Sequence, residues 1–188
     1  MGIARPKKDR RGNRLKGWVY MMNRVVVAIN GSPACMQALD VAAKMIAPSG
    51  TVLCVDVEDI MAFYREYAVD SYEGEMAEDA EFFRNEWNKE ARKIKEDVLH
   101  KASDLHLAAE WHILKLKPGQ GGPAEALYKF AQREKAEAIL VGQHRGSHLI
   151  EGLLGSFPRW LVTHSALPVV VVPPPQSKEA RAAAGQNA

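Results

Sequence analysis

The residues best suited to chemistry begin at Gly142, continue as Gln143-His144-Arg145-Gly146-Ser147-His148, and end at Gly155-Ser156. A glycine at the end of a strand lets backbone approach a bound molecule closely, because no Cβ stands between them. Gly-Ser at a helix start offers unpaired amide N–H groups, a hydroxyl and the positive end of the helix dipole. That combination favours phosphate. The same residues also suit a plain strand-to-helix connection, with Gly for the turn and Ser for the cap, and spacing alone leaves both readings open.

Other constellations are weaker. Gly119-Gln120-Gly121-Gly122-Pro123-Ala124 imitates the G-x-G-x-x-A dinucleotide fingerprint. It follows the third strand instead of the first, and no acidic residue stands about twenty positions on, so it reads as a tight turn before a helix. No lysine follows a glycine loop at P-loop spacing. His144, His148 and Glu151 are separated by Gly146 and Ser147, which spoil a common helical face, so they read as loop residues and not as metal ligands. His164 suits a helix C-terminus. His100, His106 and His112 lack an acid or nucleophile at readable spacing, and Ser32, Ser147 and Ser156 lack a base. Neither a catalytic residue nor a metal ligand is assigned.

These residues need elements to position them. Arg24–Asn30 is a β-branched strand that stops at Gly31-Ser32-Pro33, where Ser32 caps a helix and Pro33 opens it. That helix runs to about Ala47, with Met36, Leu39, Ala42, Ala43 and Ile46 on one face, and Pro48-Ser49-Gly50 ends it. Thr51–Val57 is a second strand. Residues 58–75 are acidic, with Tyr64, Tyr67 and Tyr72, and read as an insertion or lid. Ala80, Phe83, Trp87, Ala91, Ile94 and Val98 recur at helical spacing between about Ala77 and Ser103. Leu107–Leu116, Ala138–Val141 and Pro168–Val172 are further strands. Helices from Pro123 to about Arg133 and from Ser156 to about His164 lie between them, with Ser156 expected as the last helix's N-cap.

Alternating strands and helices imply an α/β domain with a parallel sheet. The strands read as continuous Val/Ile/Leu runs, the pattern of a sheet covered on both faces. Ligands of such sheets bind at the carboxyl ends of strands where the strand order reverses. The ends of the first and fourth strands, Asn30 and Gly142, are therefore the expected site.

Composition narrows the classes. The chain has 188 residues, is 47% hydrophobic and 26% charged, and fits one ordinary core. Cys35 and Cys54 are too few for a disulfide framework and suit small core residues of a reducing compartment. No apolar run approaches the ~18 residues of a membrane span. The net charge of +2 hides segregation: residues 1–20 carry +6, whereas 56–97 carry −8. The basic leader fits a nuclear signal, an RNA- or membrane-attracted arm, or solvated disorder. Outside that leader a nucleic-acid partner is not expected, and no membrane partner is.

Four segments together carry a resemblance: RVVVAINGSPACMQALDVA at 24–42, GGPAEALYKFAQREKAEAILVG at 121–142, the Gly142–Ser156 stretch, and SALPVVVV at 165–172. In order and spacing they resemble a universal stress protein domain across residues 23–173, flanked by a disordered basic leader (1–22) and a disordered tail (174–188). The resemblance implies a Rossmann-like five-stranded parallel sheet of order 3-2-1-4-5 with helices on both faces. It also implies homodimers built through the Val169–Val172 strand, and a cytoplasmic stress-response role, with a nuclear address left open by the leader.

ATP-binding members of the family carry Gly-x-x-Gly, nine residues, then Gly-Ser or Gly-Thr; here Gly142 and Gly155-Ser156 match, while Arg145 replaces the second glycine. The acidic residue that commonly ends the first strand is Asn30. By resemblance, Ala28, Ile29 and Asn30 line one side of a nucleotide pocket, Val55 the adenine side, and Val141 with Gly142 the floor. Gly155, Ser156 and Phe157 hold phosphates, and Arg145 either adds a phosphate-binding fork or fills the groove. The implied ligand is ATP or AMP, with Mg²⁺ accompanying ATP, bound without turnover beyond weak ATP hydrolysis. The competing reading is a nucleotide-free scaffold or partner-binding module whose groove Arg145 closes.

Overall fold

The computed structural model describes residues 21–58, 76–116, 121–143 and 155–175. The expectations for the basic leader at 1–20, the 59–75 insertion, the Gly119 turn, His144, His148, Glu151 and the tail from 176 lie outside those residues, as does Arg145. The elements are β1 (Met22–Ile29), α1 (Pro33–Met45), β2 (Ile46–Glu58), α2 (Met76–Asp104), β3 (Ala108–Lys115), α3 (Pro123–Arg133), β4 (Ala138–Gly142), α4 (Ser156–His164) and β5 (Val169–Val172). The strands pair in parallel in the order β3-β2-β1-β4-β5.

Two apolar layers cover this sheet, one on each face. Val25, Val27, Val52, Cys54 and Leu140 pack against Cys35, Ala38, Leu39 and Ala42 of α1 and Val98 of α2. Val26, Leu53, Val55 and Ile139 pack against Leu127, Phe130 and Ala131 of α3 and Leu161 of α4. Consecutive residues of a strand alternate faces, so a strand covered on both sides must be apolar throughout. Val25, Val26 and Val27 meet that demand with no exposure, each contributing roughly 1.5–3 kcal/mol of burial.

Ser32 caps α1 as expected: its side chain accepts from the Cys35 amide at 3.3 Å, and Pro33 is the first helical residue. On α2, Trp87, Ala91 and Val98 are buried. Three expectations need correction. Helix α1 ends at Met45, two residues early, because Ile46 already pairs with Met22 at the start of β2. Strand β3 does not run buried on both faces; its exposure alternates, as befits a sheet edge with one layer partly open. The N-cap of α4 is Gly155, not Ser156, which is the first helical residue and makes no cap hydrogen bond.

Candidate functional site

At the carboxyl end of the sheet, strand register sets the expected residues side by side. Ala28 of β1 is the partner of Val55 on β2 and of Val141 on β4. All three point to the α3/α4 face and belong to one apolar cluster, with Ala28 9%, Val55 0% and Val141 4% exposed. The smallest side chain is in the middle, so the row is shallowest at β1. Phe157, in the first turn of α4, packs against the same cluster. Ile29 points the other way, into the α1/α2 layer.

Asn30, exposed, follows the last residue of β1 and organises the turn into α1. Its Oδ1 accepts from the Ser32 hydroxyl at 2.7 Å and the Ser32 amide at 3.2 Å. The Ser32 hydroxyl in turn accepts from the Cys35 amide, so Asn30 reaches the first turn of the helix through Ser32. An asparagine in this position spends its oxygen on the protein itself. Its amide NH₂ remains a donor, where an aspartate would present only acceptors. Gly31 has φ +73°, the left-handed region that suits glycine.

Gly142 has a structural duty independent of any ligand. A Cβ built there would lie 2.8 Å from the Cys35 amide nitrogen and 2.9 Å from both Ala34 C and Ala34 Cβ. The missing side chain lets the first turn of α1 sit on the end of β4. Close approach was the expected reason for this glycine, and the structure shows that helix α1 itself makes it. Gln143 then donates to the Val172 carbonyl at 2.7 Å, closing the β4–β5 edge.

Opposite this wall, α4 begins. Gly155 is partly exposed and Ser156 exposed. Amides in the first turn of a helix have no intrahelical partner. Pro158 has no N–H, and the Arg159 amide already donates to the Gly155 carbonyl at 3.1 Å. The amides of Ser156 and Phe157 and the Ser156 hydroxyl therefore form the donor set of this helix end. His164 at the other end of α4 stacks on Trp160 with ring centroids 4.5 Å apart. Its Nδ1 lies 2.9 Å from the Trp160 carbonyl, matching the expected C-terminal role.

Neither buried acid of β2 was singled out from sequence. Asp56 and Glu58 are 7% and 8% exposed, and burial pushes the Asp56 carboxyl up from 3.8 to about 6. A signal for them existed: charged residues two apart, in phase with buried Val52 and Cys54, within an otherwise apolar strand. Cys35 and Cys54 are free and buried, and desolvation raises the Cys54 thiol to about 12. No group of three or more His, Cys, Asp or Glu among the described residues could hold a metal ion. Nor is any helix among them long and apolar enough to cross a membrane. A groove of about 490 Å³ lies between α1 and the C-terminal part of α2, lined by Met36, Asp97, His100, Lys101, Asp104 and Leu105.

Known proteins share this architecture. Universal stress protein YxiE of Bacillus subtilis is 31% identical over 163 residues, covering 81% of this chain and 99% of the relative. Among solved structures, that of hypothetical protein MJ0577 superposes with a TM-score of 0.65 at 21% identity, covering 84% of this chain and 99% of that one. A universal stress protein in complex with cAMP gives 0.53 at 21% identity, with 82% and 99% coverage. The Archaeoglobus fulgidus universal stress protein in complex with dAMP gives 0.52 at 18% identity, with 82% and 98% coverage. At these identities the structures speak to fold alone. The sequence pattern of the universal stress protein family, however, matches residues 21–173, nearly everything between the two ends. Five strands in the order 3-2-1-4-5, a relative similar along its whole length and a family match of that extent agree, and the chain belongs to the universal stress protein family.

Proposed function

We propose that this protein is a cytoplasmic homodimer that binds an adenine nucleotide, AMP or ATP, at the carboxyl ends of β1 and β4, and acts through the bound state instead of turnover. The adenine rests at the carboxyl edge of the Ala28–Val55–Val141 row, against the backbone there and not the buried side chains, beside Asn30, the Ile29 backbone and Gly142. The phosphates reach the Gly155, Ser156 and Phe157 backbone and the Ser156 hydroxyl, with the Arg145 guanidinium as a further anion partner. The observation that carries this reading is the meeting of two parts in one cluster. Phe157, whose amide belongs to the phosphate-facing helix end, packs against the same apolar residues as Ala28, Val55 and Val141. Universal stress proteins solved in complex with cAMP and with dAMP support an adenine nucleotide as the ligand class.

Magnesium enters only with ATP. The Asn30 oxygen already accepts two hydrogen bonds from Ser32, so the ion is held chiefly by the phosphates it accompanies. Dimerisation uses β5, a sheet edge whose Val169, Val170 and Val171 are only partly buried in the single chain. Buried, free Cys35 and Cys54 suit a reducing compartment.

Isothermal titration of the purified dimer with AMP, ATP and Mg-ATP tests the reading. The expected result is saturable binding, lost in Gly155→Val, whose isopropyl group crowds the helix end. Absence of heat with every nucleotide up to about millimolar concentration, a binding energy near −4 kcal/mol, overturns it. The competing reading, a nucleotide-free scaffold, draws on the closeness of α1 to Gly142. Nucleotide released on denaturing the purified protein eliminates it.

A further inference from the structure

The groove between α1 and α2 has an apolar floor and acidic walls. Met36 and Leu105 form the floor, each partly buried against the α1/α2 core layer. Lys101 is already engaged across the groove with Asp40, its Nζ 2.7 Å from Oδ2. His100 meets Asp104 at 3.2 Å on the exposed surface of α2. Asp97 is exposed, and no ion pair occupies it. Three carboxylates therefore share one ammonium and one imidazole, and Asp97 and Asp104 are the two that no lysine or arginine matches.

The chain enters the sheet beside one end of this groove. Met22, the first residue of β1, packs against the same apolar layer as Met36 and Leu105. Arg24 is level with Thr51, and Thr51 with Ala108 at the start of β3. Leu105, just before β3, thus stands at the edge of the sheet where β1 begins. Two strand spacings, roughly 10 Å, separate β1 from β3. From Asp97 to Leu105 the helix advances about 12 Å.

Ahead of Met22 lies the strongly basic leader, which carries +6 over residues 1–20. Within it, Arg10–Lys16 holds Arg10, Arg11, Arg14 and Lys16 with no acid, and Leu15 as its one large apolar residue. The chain from Lys16 to Met22 spans up to about 20 Å when extended, enough to reach the Leu105 end. Seven extended residues then cover roughly 20 Å, more than the length of the groove.

We propose that the Arg10–Lys16 stretch docks in the groove between α1 and α2 of its own chain, with its basic side chains on Asp97 and Asp104 and Leu15 on the Met36–Leu105 floor. A planar guanidinium takes a carboxylate through two parallel hydrogen bonds, which suits arginine to these walls. Single exposed ion pairs contribute little. Attachment to the same chain compensates, because it presents the stretch at an effective concentration of about millimolar. While docked, these bases are withheld from anionic partners outside the chain, so the contact is autoinhibitory for whatever the leader binds.

The docking does not require the nucleotide reading, and its test uses nucleotide-free full-length protein with a nitroxide on Gly12→Cys. Cys35 and Cys54 are fully buried and escape the label. In ¹⁵N spectra, amides of residues 36–40 and 97–105 are expected to relax several-fold faster than in the reduced control. Residues 127–133 of α3, on the other face of the sheet, are expected to stay unchanged. Reversing both walls with Asp97→Lys and Asp104→Lys, at exposed positions, removes the effect. So does about 1 M salt, where the screening length falls to ~3 Å. Enhancement spread evenly over both faces overturns the proposal, as does a groove effect that survives charge reversal or high salt. An effect passed from a spin-labelled copy to a ¹⁵N copy without the label also overturns docking within one chain. Should the double variant fail to fold, the salt response of the parent protein decides.

Discussion

Gly142→Ala separates the structural from the ligand-binding meaning of the most conspicuous glycine. The new methyl would sit 2.8 Å from the Cys35 nitrogen and 2.9 Å from Ala34 C and Cβ. These are backbone and Cβ atoms at the capped start of a helix, so no flexible side-chain end can swing away. Helix α1 must shift, and it carries Cys35, Ala38, Leu39 and Ala42 into the core. Overpacking of this kind costs about 1–3 kcal/mol. Replacing glycine in a strand returns roughly 0.5–1 kcal/mol of chain entropy. The net expectation is a destabilisation of about 1–2 kcal/mol, or roughly 2–8 °C in midpoint for a domain of this size. The assay is thermal denaturation of nucleotide-free protein, read by the fluorescence of its four tryptophans. A midpoint equal to or above that of the wild type would refute the claim that this glycine exists for helix α1.

Further outcomes follow from the same geometry. Ser32→Ala removes the acceptor for the Cys35 amide and the donor to Asn30, and is expected to lower stability by about 1 kcal/mol in thermal melts; an unchanged melting temperature contradicts the cap. Gly31→Ala forces a side chain into φ +73° and onto Ile94, costing at least ~1 kcal/mol; wild-type stability in denaturant titrations would contradict that contact. Val170→Lys places a charge on the β5 edge and is expected to halve the mass measured by light scattering, with the circular dichroism spectrum retained; an unaltered mass rejects dimerisation through β5.

Much of the architecture was legible because its physics is local. The Val25–Val27 run must be a doubly covered strand, and Ser32-Pro33 must open a helix, whatever surrounds them. What sequence did not yield depends on neighbours distant in the chain. The early end of α1 reflects Ile46 pairing with Met22, and the half-open β3 reflects its place at the sheet edge. Gly155 caps α4 where Ser156 looked the better residue, since the chain enters the helix one position sooner than cap chemistry alone suggests. Gly142 was legible as a close-approach residue, but its partner, the first turn of α1, emerges only in three dimensions. The candidate site was readable as a set of strand ends, and register adds that Ala28, Val55 and Val141 form one row. Asp56 and Glu58 were passed over because a charge in an apolar strand says nothing of which helix will cover it.

The central claim is tested most directly by titrating ¹⁵N-labelled protein with AMP and Mg-ATP and following each backbone amide. The account predicts saturable shifts at Ser156 and Phe157, with accompanying shifts at Gly142 and along the Asn30–Ser32 turn. Spectra that stay unchanged at saturating nucleotide, or shifts confined to the groove between Met36 and His100, would contradict it.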